Sequence, residues 1–486
     1  MQRANRPRIA VVGGGIAGLA AALRLKRIAP DAAVTLIERE PVLGGKIKTE
    51  RIDGFVIEGG PDSFLAMKPR GIELCRELGI AERLQGVRQE TRRTFVMRNG
   101  RLYDLPEGLT GLVPTRLGPM AKTRLISPLG KARMALDYVL PPRRGTGDET
   151  LAAFIERRLG REVYERLVEP LMAGIYAGDG RELSLAATFP HLRAGEIKHG
   201  GLIKGMLAAR RNGPPTSGEQ RPSPFLAPAG GMAEMVEAIE SRLRNEGVQI
   251  VTSSHLSRLS RDHADGPFSL HLDDGTSLPA NAVILATPAG PTATLVDELL
   301  PDAATLLRSI PHVSSATVAL AYPERALSHP LAGHGYVIPR VEGRQALACT
   351  WVSSKWAARA PEGHALLRVF VGRTGEDQIV AAADDDLIGI AREELRATLG
   401  ITADPSFARV TRWPDGMPQY TLGHLDRVAA IERAVATIPG LHLAGHAYRG
   451  VGIPDCIASG DAAANNAARS VALTPADAPS HQPPNA

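Results

Sequence analysis

Gly13, Gly15 and Gly18 stand in a G-x-G-x-x-G spacing directly after the apolar residues 9–12, with Gly14, Ile16 and Ala17 between them. Backbone bare of side chains can approach a pyrophosphate closely, and the free N–H groups at the start of a following helix supply donors to that anion. Glu38 lies twenty residues beyond Gly18, after a second apolar run. From that position a carboxylate accepts hydrogen bonds from the hydroxyls of an adenosine ribose, and it disfavours a ribose 2′-phosphate. The pattern therefore selects FAD or NAD over NADP.

These residues need a strand, a tight turn, a helix and a second strand to hold them. Residues 9–12, 13–18, 19–28 and 33–38 read in that order, which is the βαβ start of a doubly wound sheet. From about 92 to 213 the pattern is mostly helical, with apolar segments at 151–159 and 163–172. Pro/Gly-rich breaks at 141–147 and 213–224 bracket that region, and the second reads as a mobile loop or a boundary. A helix at 232–246, a strand at 248–253, a hairpin about Asp273–Thr276 and a buried strand at 281–286 return the chain to the first sheet. A strand-rich excursion follows, from 317–322 through 366–371, and the chain comes back at 441–445 before a glycine-led final helix. The polar, proline-bearing tail beyond Leu473 predicts disorder.

At 486 residues the chain exceeds what one core supports. The expected class is α/β (α+β), with a Rossmann-type dinucleotide domain, a mixed-sheet substrate domain and an inserted helical domain. The expected boundaries are 1–91, 225–300 and 425–472 for the dinucleotide domain, 92–224 for the helical domain, 301–424 for the substrate domain and 473–486 for the tail. The net charge of +5 is spread over mixed acids and bases, and aromatics make up 4% of the residues, so nucleic-acid stacking is not expected. Three scattered cysteines suit a reducing cytoplasm and form no metal motif. Only four apolar residues precede the first glycines, which reads as a strand and not as a signal peptide, and no run is long enough to span a membrane.

The stretch containing Glu38, Arg39, Gly44, Gly45 and Lys46, followed by Gly59, Gly60, Pro61, Asp62 and Ser63, resembles the amine-oxidase and desaturase superfamily of flavoproteins. That resemblance implies FAD, with the double glycine and its basic neighbour along the dinucleotide and the later glycines close to the flavin ring, where a Cβ would collide. Residues 60–65, 174–179 with Leu183 and Ser184, 412–414 through 418–420, and 448–457 resemble more narrowly the signatures of the porphyrinogen oxidases of haem biosynthesis, bacterial branch. The likeness runs from residue 9 to about 468. It implies non-covalent FAD, a porphyrinogen substrate, molecular oxygen as acceptor and hydrogen peroxide as co-product.

The same resemblance places Val451, Gly452, Ile453 and Pro454 on the flavin, the following helix N-terminus near the flavin O2, Leu256 by the adenine and Trp413 near the cofactor. Cys456 reads as a small buried cysteine and not as a covalent flavin link. Gly174, Ile175 and Tyr176 are the catalytic candidates, since the glycine carbonyl of this segment is proposed to face the reacting methylene. Phe370 corresponds to an aromatic that stacks on substrate, against the alternative of a core phenylalanine. The chain departs from the family at Thr94, ahead of the strand at Phe95 and Val96, where a basic residue often pairs with a substrate propionate; Arg92 or Arg93 is expected to take that part, at most one of them pointing inward, against the alternative that both are solvated. Trp351 and Lys355, within 349–356, and the Gly452–Asp455 form of the last signature resemble the coproporphyrinogen-oxidising branch. Lys355 is accordingly a second propionate candidate, set against a solvent-facing lysine between two tryptophans. Coproporphyrinogen III is expected ahead of protoporphyrinogen IX. The alternatives are an amine oxidase or carotenoid desaturase, disfavoured because 312–322 contains no lysine, and a non-catalytic binder on the same fold, disfavoured by the intact flavin-facing glycines. A peripheral membrane contact, hand-over of product to the next enzyme of the pathway and a homodimer are all compatible with the resemblance.

Overall fold

The glycine turn sits at the centre of a parallel sheet. In the computed structural model, which describes residues 6–473 apart from 107–108, 111–112, 115–116, 146, 213–222 and 264–265, that sheet has the order Gln249–Val251, Ala33–Ile37, Arg8–Val12, Ala282–Leu285 and Leu441–Leu443. All four neighbouring pairs are parallel. Most of the break at 213–224 and the tail beyond Leu473 lie outside the described residues. Helix Ile16–Ile28 buries an almost continuous run of small and apolar residues, Ile16 to Ala22 and Leu25. It packs so closely on the final helix Ile453–Leu473 that a Cβ at Gly460 would stand 2.1 Å from the Ala17 carbonyl oxygen. Two distant stretches of chain are thereby locked onto one face of the sheet.

The second sheet has seven strands in the order Phe407–Pro418, His312–Pro323, His364–Val371, Ala346–Trp351, Gly335–Val337, Thr94–Arg98 and Arg101–Asp104. It is mixed, because Gly335–Val337 pairs in parallel with Thr94–Arg98 while the other pairs are antiparallel. Residues 94–104, expected in the helical segment, are therefore strands of this sheet. Asn99 and Gly100 both adopt positive φ (50° and 70°), the condition for a tight two-residue hairpin turn. Helix Pro301–Arg308 likewise sits with the first sheet's core, packing its Ala304 and Leu307 there.

The inserted region consists of short helices between Leu117 and Asn212 around a core that includes Phe154, Ile155, Leu167, Met172 and Leu192. Within it the helix Leu151–Leu159 has the expected bounds, but the segment expected over 163–172 is broken. A π-helical turn, Tyr164–Val168, leads into helix Glu169–Tyr176. Such turns interrupt a helix where a neighbouring surface must be re-aimed. Among the described residues no helix is long and apolar enough to cross a membrane.

Candidate functional site

Helix Ile16–Ile28 begins at Gly15 with no side-chain cap and no acid in its first turn. Its first N–H groups consequently point to whatever lies before them. A Cβ on Gly15 would meet nothing within 4 Å, so the side of the turn open to a ligand is clear. Gly44 donates to the Gly14 carbonyl (2.9 Å) and a bridge joins Gly15 to Gly44, which sets the double-glycine turn against the first one. Glu38 accepts from Gly14 N–H (2.5 Å) and Glu40 N–H (2.8 Å), which leaves lone pairs on both oxygens for ribose hydroxyls. Ser254 N–H donates to the Glu38 carbonyl (3.0 Å) and brings the buried Leu256 alongside. A donor-lined helix start, a cradle without side chains and a fixed carboxylate fit a dinucleotide. Arg39 is exposed and pairs with Glu40 (3.1 Å).

The Gly59–Gly60 turn is anchored from below. The Gly59 carbonyl accepts from Trp413 Nε1 (2.8 Å) and Thr317 Oγ1 (3.3 Å), and Arg368 donates to the Gly60 carbonyl (2.5 Å). Asp62 accepts from Lys355 Nζ (2.7 Å), Trp356 Nε1 (3.3 Å) and Ser63 Oγ (2.7 Å). Burial alone would raise its carboxyl, but Lys355 and Arg368 hold it well below the ordinary range. Lys46 donates to the Gly416 carbonyl and to His446 Nε2, the latter at 2.7 Å. Desolvation lowers Lys46 to about 8 and His446 to about 3, so a neutral imidazole accepts from an ammonium.

Gly174 to Tyr176 end the helix Glu169–Tyr176, which Ala177 caps in the left-handed conformation (φ 49°). A Cβ on Gly174 would touch nothing within 4 Å, and Ile175 is exposed beside it. The Tyr176 carbonyl accepts from Gln419 Nε2 (2.9 Å), which also donates to the Met417 carbonyl (3.2 Å). The next residue, Tyr420, donates to the His446 carbonyl (2.6 Å) and accepts from Gly450 N–H (2.8 Å). Val451 packs on the same core as Tyr176, and Ile453 and Pro454 are buried where the final helix starts. Cys456 is buried and its thiol is pushed up to about 12. The glycine turns, the Gly174–Tyr176 segment and Val451–Pro454 thus share one hydrogen-bonded framework.

The substrate residues expected from sequence separate into two groups. Phe370 is half-buried on the sheet face that also carries Arg368, whose guanidinium lies 4.7 Å from its ring centroid. Trp351 is fully buried with Cys349 and Leu367 in the core of the opposite face, so alternation along the strand turns it away from Phe370. Lys355 is not solvent-facing, since its ammonium closes on Asp62. Arg93 is exposed, pairs with Asp104 (2.8 Å) and lies over Phe95 (5.1 Å). Arg92 is exposed and reaches Gln89 (3.2 Å), and Thr94 opens its strand opposite Gly335. Sequence reasoning missed Arg368, Arg359 and His446. A charged residue inside the apolar run His364–Val371 was the one available signal for Arg368.

Residues 16–468 match the family described as flavin-containing amine oxidoreductases. The coproporphyrinogen III oxidase of Bacillus subtilis (strain 168) is 39% identical over 95% of this chain and 98% of its own length. The coproporphyrinogen III oxidase of Propionibacterium freudenreichii subsp. freudenreichii is 35% identical over 93% and 89%. A crystal structure from Exiguobacterium sp. 255-15 superposes with a TM-score of 0.84 at 36% identity, covering 96% of this chain and 99% of that one.

Proposed function

This chain belongs to the flavin-containing amine oxidoreductases, and on that premise we propose that it oxidises coproporphyrinogen III to coproporphyrin III in haem biosynthesis. Bound FAD would supply the redox chemistry, as acceptor of a hydride equivalent from a bridging methylene, with oxygen as the terminal acceptor. Each two-electron step removes two hydrogens from the substrate and converts one oxygen molecule to hydrogen peroxide. The protein's part is positioning. Gly13–Gly15, Glu38 and Lys46 hold the dinucleotide, Trp413 and Arg368 fix the Gly59–Gly60 turn, the open side of Gly174 receives the methylene, and Phe370 supports the tetrapyrrole. The observation that carries this reading is the chain of hydrogen bonds from Tyr176 through Gln419 and Tyr420 to His446 and Gly450, with Lys46 closing it. It makes the cofactor turns and the candidate catalytic segment one rigid unit.

With the purified, FAD-loaded protein, coproporphyrinogen III is expected to be the better substrate by at least tenfold in kcat/KM over protoporphyrinogen IX, about 1.4 kcal/mol. Peroxide should appear with each two-electron step, and denaturation should release the flavin into solution. The tetracarboxylate's advantage should shrink as salt screens its charge pairs. A protoporphyrinogen preference at low salt would overturn the substrate choice, and turnover of neither porphyrinogen would overturn the function.

Lys46 gives a pH test of the cofactor side. Its ammonium is held at about 8 before an anion arrives, and a pyrophosphate beside it favours the charged form. The pKa is thus higher in the bound state than in the free one. FAD affinity should be greatest below about pH 8 and fall as pH rises through that value. Flavin titrations of deflavinated protein between pH 7 and 9.5 measure this, and Lys46→Met should flatten the profile. An unchanged Kd across the range in the unmodified protein would remove Lys46 from the dinucleotide site.

A further inference from the structure

At the end of the seven-stranded sheet, a cleft of about 360 Å³ opens between the turn Arg340–Glu342 and the turn that follows Val371. Three guanidinium groups, Arg340, Arg344 and Arg373, line it with one carboxylate, Glu376. That carboxylate is already shared, accepting from Arg373 Nε (2.9 Å) and standing 3.6 Å from Arg340. Arg344 makes no ion pair within 4 Å among the described residues. The acids that feel its charge, Glu393 and Glu394, are hydrogen-bonded elsewhere, to Arg396 and to Tyr336 and Thr398. Arg373 is only 1% exposed. It donates to the Arg344 carbonyl (3.1 Å) yet keeps Nη1 buried with no partner.

A buried guanidinium N–H without an acceptor, that of Arg373, is unfavourable, and the three guanidinium groups still outnumber the two carboxylates they meet, Glu376 and Glu169, the latter 4.0 Å from Arg340, which leaves a surplus of positive charge with donors set for oxygen pairs. Arg340, which lines the cleft, is also tied to both ends of the helix Glu169–Tyr176. Arg340 N–H donates to Glu169 (3.0 Å), Arg340 Nη2 donates to the Thr374 carbonyl (3.0 Å), and Thr374 N–H donates to Ala177, the helix cap (2.9 Å).

We propose that this cleft binds a small multivalent anion through carboxylate or phosphate oxygens and that its occupant steadies the helix bearing Gly174 to Tyr176. The binding half is independent of the porphyrinogen reading, and the helix half concerns an element which that reading uses. Calorimetric titration of the FAD-saturated protein with inorganic pyrophosphate and with citrate tests it. FAD saturation removes the dinucleotide site as a competitor. One anion should bind saturably at one per chain. Arg344→Ala should weaken it at least tenfold, Arg344→Glu should abolish it, and Arg258→Ala, on a surface pair with Glu298, should leave it unchanged. Preference for pyrophosphate marks a phosphate ester as the natural ligand, and preference for citrate marks a polycarboxylate. Amide exchange over residues 169–177 should slow at saturation in the unmodified protein and not in Arg344→Ala. Non-saturable binding, or equal binding by Arg344→Ala, would overturn the site, and unchanged exchange at saturation would overturn the link to the helix. Each readout is independent of turnover, so failure here is distinguishable from failure of the proposed reaction.

Discussion

Gly60→Ala should yield a protein that retains less than a tenth of its flavin and loses about 3 kcal/mol or more of stability, at the upper end of overpacking costs. The new Cβ would stand 1.8 Å from the Lys46 carbonyl oxygen and 3.0 Å from its carbon. Those are backbone atoms, which cannot swing aside. Nor can the turn retreat, because Gly59 N–H is bound to the Lys48 carbonyl (2.8 Å) on one side while Trp413 and Arg368 grip the carbonyls of Gly59 and Gly60 on the other. Relief therefore requires displacing Lys46 or opening the anchored turn, and either disturbs the face offered to the flavin. Gly174→Ala is the matched contrast, since its Cβ would meet nothing within 4 Å and alanine is the better helix former by about 1 kcal/mol. It should keep flavin and stability and lose turnover, because the proposed reaction receives the methylene on the open side of that helix. The ratio of flavin to protein absorbance, with urea unfolding, separates the two variants. A yellow Gly60→Ala protein as stable as its parent would mean that the contact with Lys46 does not exist in solution.

What could be read from sequence was what is fixed locally. The glycine turn, Glu38 and the first βαβ unit depend on spacing along a short stretch of chain, and they stand where the spacing put them. The edge of the substrate sheet was legible as well, beyond the strand at Phe95 and Val96. Asn99-Gly100 between the alternating residues 94–98 and 101–104 is a strong hairpin signal. Read as a hairpin, it pairs Phe95 with Asp104 and brings Asp104 within reach of Arg93, which accounts for that arginine's partner. The side of the sheet on which Trp351 falls was a matter of register, because a shift of one residue exchanges the faces. Lys46 and His446 belong to a different class. They lie 400 residues apart and meet where the segments following two strands of the parallel sheet, Ala33–Ile37 and Leu441–Leu443, come together. Contacts of that kind are set by tertiary closure, and neither periodicity nor motif spacing carries them.

Arg368→Met should cost about 3–5 kcal/mol, the range found when one partner of a buried ionic group is removed. Arg368 is 5% exposed in the middle of an otherwise apolar strand, and its neighbours form a closed set: Glu58, Asp62, Lys355 and Arg359. Burial pulls its guanidinium down, and Asp62 and Glu58 hold it up. A cavity of about 10 Å³, room for roughly one water, touches this group, and Arg359 Nε and Nη1 and Arg368 Nε have no protein acceptor. A bridging water there would complete the network, but it could not replace the charge or the donor to Gly60. Methionine removes both, leaving the Gly60 carbonyl without its guanidinium donor and Asp62 with its hydrogen-bonded Lys355 and the more distant Arg359 as cations. Arg368→Lys keeps the charge and a donor but loses the planar guanidinium on its longer reach, and it should recover part of the stability. The electrostatic role has its own signature. With the Gly59–Gly60 turn against the flavin, as proposed, a cation beneath it stabilises the negative charge of the reduced cofactor, so the flavin potential should fall in Arg368→Met and stay near the parent value in Arg368→Lys. A double-mutant cycle with Asp62→Asn should return a coupling of about 0.5–3 kcal/mol between the two sites. Zero coupling together with an unshifted potential would reduce Arg368 to a packing residue, and the hold on the flavin-facing turn would then rest on Trp413 and Thr317 alone.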